Sequence, residues 1–144
     1  MNWILLALIT ALFYALYNVF IKQASTHVQE VLGAVILQAV ALLLGGCWLL
    51  YLRLKGVPLE VTTRGVILSV TAGIFVGLAE IFSFLVFARG VPASSGIPVI
   101  IGGSVLIAAI IGFLWLKEAI GFYQVLGLIL IVGGIWLLSR TAAP

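Results

Sequence analysis

The chain has 144 residues, of which 65% are hydrophobic and 8% charged, with a mean hydropathy of +1.38. A water-soluble domain of this size leaves too much of its surface exposed to hide that apolar content, so the composition points to an integral membrane protein covered by lipid. The net charge of +3 arises from seven basic and four acidic residues that punctuate apolar runs instead of clustering, which gives nucleic-acid binding no support.

Charged residues divide the sequence into apolar runs at residues 3–21, 31–52, 65–88, about 94–116 and 119–139. Each approaches the ~20 residues that cross a bilayer as a helix. No period-2 alternation is present, and only helices or closed barrels satisfy every backbone group in lipid. The expected fold is therefore all-α, a bundle of five transmembrane helices in a single domain spanning 1–144, with four helices as the alternative.

The first run, MNWILLALITALFYALYNVF, has no basic residue before it and no small-x-small cleavage site, so it reads as a retained helix. Tyr14, Asn18 and Lys22 follow along it at i, i+4 and i+8, a near-continuous polar stripe whose last member can snorkel or bend back toward a carboxylate. His27 comes next, a loop histidine with no metal-spaced partner. The second run holds Gln38 and the single cysteine, Cys47, which is expected to be a small packed residue. RLKGVPLEVTTR, residues 53–64, is the longest polar connection.

The third run carries the most conspicuous residue of the chain. Glu80 is a carboxylate in a stretch from Gly65 to Ala88 that is otherwise uncharged. A charge at the centre of a membrane helix costs ~2.5–3.5 kcal/mol on the insertion scale, so Glu80 must face a partner or water, or be protonated. If the first and third spans run the same way, Asn18 and Glu80 each lie fifteen residues in, ~22 Å from the N-terminal face, and Gln38 on the returning second span lies ~10 Å from the opposite face. On the third helix Gly73, Gly77, Glu80 and Phe84 share a face, which leaves space beside the carboxylate. Two roles compete for Glu80. It binds a cationic group of a substrate or exchanges a proton, with Tyr14, Asn18, Lys22 and Gln38 around it, or it pairs with Lys22 or hydrogen-bonds Tyr14 and Asn18 to fix helix packing.

ARGVPASSGIP then turns the chain and enters the fourth helix through Pro98. That proline is either a helix-start residue or a break lining a cavity, as in transporter helices. The fourth and fifth runs are separated by LKEAI, where Lys117 and Glu118 would be costly at mid-membrane, so a tight helical hairpin is expected there. Trp3, Trp48, Trp115 and Trp136 all lie near span ends, as interfacial anchors do. No nucleophile–base pair, phosphate loop or metal cluster is visible, so neither enzymatic chemistry nor a cofactor is expected.

From FYALYNVFIKQAS at 13–25, through FARGVPASSGIPVI at 87–100, to LWLKEAIGFYQVLGLILIVGGIWLL at 114–138, the chain resembles a single EamA-like domain, the repeat of the drug/metabolite transporter superfamily. Glu118 followed by Gln124, Gly127 and Gly134 is similar to the ending of that repeat. Most relatives carry two such five-helix repeats in inverted orientation. The resemblance therefore implies that two copies of this chain assemble. GLILIVGGI at 127–135 is also similar to the dimerisation stretch of small multidrug resistance proteins, which carry their essential carboxylate in a first helix where this chain has none. Gly127 and Gly134, seven apart on one helix face, are expected either to meet a second copy or to pack within one protomer.

An odd number of spans puts the termini on opposite sides. Arg53, Lys55, Arg64 and Lys117 then lie on the N-terminal face and Lys22, Arg89 and Arg140 on the other, an almost even division that leaves the chain able to insert either way up, or N-terminus inside by its small excess. The resulting expectation is a multi-pass transporter of small metabolites or drugs in a prokaryotic inner membrane, working as an antiparallel homodimer by alternating access and proton-coupled through Glu80. The alternative is a non-transporting membrane subunit that pairs with a second chain.

Overall fold

The computed structural model describes residues 2–141, with five helices: α1 (Trp3–Ala24), α2 (Glu30–Leu54), α3 (Thr63–Ala88), α4 (Ala93–Leu114) and α5 (Phe122–Thr141). No strand occurs among the described residues, and all five helices are long and apolar enough to cross a membrane. The protein is a multi-pass membrane protein. Large apolar side chains such as Leu42, Leu43 and Leu44 on α2 and Leu130 on α5 stand mostly exposed, as lipid-facing residues do.

The helix ends are set by local chemistry. Asn2 Oδ1 accepts from the amide of Ile4, Gln29 Oε1 from that of Leu32 and Thr62 Oγ1 from that of Gly65, each meeting an amide that the first helical turn leaves unpaired. At the end of α2, Gly56 adopts φ +73°, its amide donates to Arg53 O at 3.0 Å, and that of Val57 donates to Leu52 O at 3.2 Å. This is the Schellman arrangement, for which glycine is suited because the left-handed conformation is free of Cβ strain there.

The fourth helix ends at Leu114 and the fifth starts at Phe122, so the hairpin between them is longer than the LKEAI spacing suggests. Two local features account for the difference. Lys117 takes φ +55°, which stops the helix, and the Glu118 amide folds back to donate to Gly112 O at 3.1 Å. At the other end Gln124 Oε1 accepts from the Gly121 amide at 2.8 Å while the Gln124 amide donates to Gly121 O, the reciprocal cap that fixes the start of α5. Cys47 is exposed on α2 and not packed, because that stretch of the helix presents its surface outward.

By internal contacts the chain divides into two compact units, one of residues 1–18 with 89–144 and the other of residues 19–88. In the 19–88 unit, α2 and α3 form an antiparallel hairpin. Gly33 is what brings them close: a Cβ there would lie 2.6 Å from Cε1 of Phe84. Phe84 is only 2% exposed, and Ile21, Ala34 and Phe87 are buried with it. In the other unit α4 and α5 pack through Gly102, whose missing Cβ would stand 2.9 Å from Ile135 Cδ1 and 3.3 Å from Ile131 Cγ2.

Candidate functional site

Within the 19–88 unit, Glu80 occupies the inner face of α3 together with Ser83, Phe84 and Phe87, at i, i+3, i+4 and i+7. It is 9% exposed, as is Ser83. One turn earlier on the same face is Gly77, and the Gln38 amide lies against it, with Oε1 3.6 Å and Nε2 3.7 Å from the position a Cβ would take. Gln38 therefore faces α3 within a turn of Glu80.

Lys22 has a defined task in this unit. Its Nζ donates to the carbonyl of Phe87 at 3.2 Å and lies 5.9 Å from the centroid of the Phe87 ring. Phe87 belongs to the last turn of α3, where carbonyls have no intrahelical partner and a cation meets the negative end of the helix dipole. The lysine thus caps a helix C-terminus two turns beyond Glu80. Ser25, also buried, returns its hydroxyl to Lys22 O at 2.8 Å.

Within the other unit, the N-terminal part of α1 and the first half of α4 line a groove of about 750 Å³. Its polar lining comes from Thr10, Tyr14 and Asn18 on α1 and from Ser104 on α4, with Ile97 and Pro98 beside them. Ala7, Ala11 and Ala15 repeat every four residues next to this polar row and keep the α1 wall low. Asn18 is 3% exposed and its Nδ2 donates to Tyr14 O at 2.7 Å, so the polar stripe of α1 is joined through the backbone. Pro98 is the sixth residue of α4, the helix is continuous through it, and it lines the groove. Thr10 and Ser104 are members of the groove that the sequence does not single out. Thr10 extends the Tyr14–Asn18 row by one more turn, a signal that its spacing carries; Ser104 has no comparable signal.

The hairpin between α4 and α5 carries Glu118. Its Oε2 approaches to 2.7 Å of where a Gly112 Cβ would be, and it borders a cavity of about 310 Å³ together with Gln124 and Gly127. Among the described residues, no side chain or other part of the chain beyond the local turns of α5 comes within 4 Å of the Cβ positions of Gly127 and Gly134. His27 is exposed and binds locally, with Nδ1 2.7 Å from Thr26 Oγ1 and 3.1 Å from Gln23 O. Among the described residues no group of three or more histidine, cysteine or acidic side chains is placed to hold a metal. Trp136 lies under Arg140, with the guanidinium carbon 4.2 Å from the ring centroid, a pair suited to a membrane–water boundary.

Across residues 1–140 the sequence matches the family described as the EamA-like transporter family. Neither the curated proteins nor the solved structures yield a match.

Proposed function

Because this chain belongs to the EamA-like transporter family, within the drug/metabolite transporter superfamily, and is a membrane transporter of that type, we propose that it moves small metabolites or drugs across a prokaryotic inner membrane with Glu80 as its coupling group. The observation that carries this reading is a carboxylate on the inner face of a membrane-spanning helix, buried beside Ser83 and within a turn of the Gln38 amide. Holding an acid at that depth is costly, and intramembrane acids that persist mark pathways for protons or for cationic groups. Two copies assemble in opposite orientations, and alternating access comes from rocking one repeat against the other. Membership in a family of the drug/metabolite transporter superfamily, whose members mostly carry two inverted repeats where this chain has five helices, supports a second copy.

The test is flux. In liposomes containing this chain alone, an imposed proton gradient drives substrate uptake, and Glu80→Gln abolishes that coupled uptake while insertion and assembly persist. Unchanged flux with unchanged pH dependence would remove Glu80 from the mechanism. No flux from the wild-type chain alone, with flux restored by a second chain, would favour a subunit role.

A further inference from the structure

The groove between α1 and α4 has a chemical polarity set by where its hydrogens go. Thr10 Oγ1 donates to Leu6 O at 2.9 Å, and Ser104 Oγ donates to Ile101 O at 2.7 Å. A hydroxyl has one hydrogen, so each of these oxygens is left with lone pairs only. Asn18 commits one of its two Nδ2 hydrogens to Tyr14 O and keeps Oδ1 as a further acceptor beside the second hydrogen. Pro98 brings no amide hydrogen at all. Tyr14 contributes an aromatic face and a phenol that both donates and accepts.

Thus all four polar side chains in the groove offer acceptors to whatever occupies it, and two of them, Thr10 and Ser104, have no hydrogen left to give. The lining residues among those described carry no charge; the rest of the wall is alanine, isoleucine and proline. A charged group entering such a wall would lose its hydration without gaining a counter-charge, and the cost of that is several times that of a satisfied hydrogen bond. At about 750 Å³ the groove is in the size range of small-molecule sites.

We propose that this groove binds the substrate through an uncharged N–H or O–H donor attached to an apolar body, such as a primary amide on an aromatic ring. The proposal rests on the transporter reading and specifies its substrate class. It separates substrates by two features: possession of a donor hydrogen, and lack of charge on the group that enters the groove.

Three small probes that differ in one property each test it: benzamide, N,N-dimethylbenzamide and benzylammonium. Benzamide has donor hydrogens and no charge, its dimethyl analogue keeps the carbonyl and the ring but has no donor, and benzylammonium has donors with a positive charge. Affinities are measured by saturation-transfer NMR titration on the chain in phosphatidylethanolamine–phosphatidylglycerol nanodiscs, with empty nanodiscs subtracted. Benzamide should bind about tenfold more tightly than the dimethyl analogue, as expected for one or two hydrogen bonds of ordinary net strength. In the double variant Thr10→Val, Ser104→Ala, that preference should fall to about twofold. Equal binding of the two amides overturns the proposal, as does an unchanged preference in the double variant or tighter binding of benzylammonium than of benzamide. The wild-type comparison needs no variant, so a double variant that fails to fold leaves the decision intact. No gradient or flux enters the measurement, so loss of coupled uptake in Glu80→Gln and failure of the amide preference are separate results.

Discussion

A lysine near the end of α1 donates to a carbonyl at the end of α3, and a glycine on α2 makes room for the ring of Phe84. Both contacts set individual residues against named atoms. Lys22→Met removes a charged donor from a helix C-terminus and should lower stability by ~1–2 kcal/mol, whereas Lys22→Arg, which keeps the charge, should lose less. Urea unfolding in mixed micelles measures both; a Met variant of unchanged stability but lost substrate binding would instead assign Lys22 to the transport site. Gly33→Ala should be more severe than an exposed glycine replacement. Its Cβ would meet a ring that is itself buried, and overpacking of this kind costs ~1–3 kcal/mol. The same assay reads it, with Gly45→Ala, where the Cβ position is open, as the comparison. Glu80 is legible in the sequence because a lone carboxylate stands out against an apolar run. The lysine cap is not, since only the packed helices bring Phe87 to Lys22, residues 65 apart in the chain.

Helices expose the same distinction between what spacing reveals and what contact decides. Five spans are readable from the positions of charge and from run length, since the bilayer fixes both. The ends are less so: the start of α5 waits for the Gly121–Gln124 cap, and the stop of α4 depends on a left-handed lysine that no propensity favours. Spacing puts Gly127 and Gly134 on one helix face but does not tell a protomer contact from a dimer contact. In the folded chain Gly102, not this pair, makes the close approach between α4 and α5, and the space beside Gly127 and Gly134 is open. Gly127→Leu or Gly134→Leu should therefore leave thermal unfolding of the protomer nearly unchanged and weaken self-association several-fold in a detergent crosslinking assay. Gly102→Leu should do the reverse, lowering protomer stability first. Undiminished dimer in both Gly127 and Gly134 variants would detach those glycines from assembly.

For the whole molecule, the basic residues divide four against three between the two faces expected from five alternating spans. A reporter fused to the C-terminus should register two populations, one on each side of the membrane. Two lysines added within residues 53–64 should drive nearly all molecules N-terminus inside, and two added after Arg140 should invert them. Each biased form alone should lose transport, and co-expression should restore it. A wild-type reporter on one face only, with full activity, would rule out the antiparallel pair. The family is readable from the motifs of the C-terminal block, whereas the groove between α1 and α4 is only half readable: its α1 side keeps a four-residue period, but its α4 side is assembled by tertiary contact.

The two hairpins, α2 with α3 and α4 with α5, have a further consequence during biosynthesis. As the ribosome delivers the chain, a hairpin that enters the bilayer as a pair returns the polypeptide to the side it came from and leaves the orientation of every later span unaltered. With two pairs of that kind, it is α1, the span outside both hairpins, that would carry the rest of the chain across the bilayer and so part its two ends.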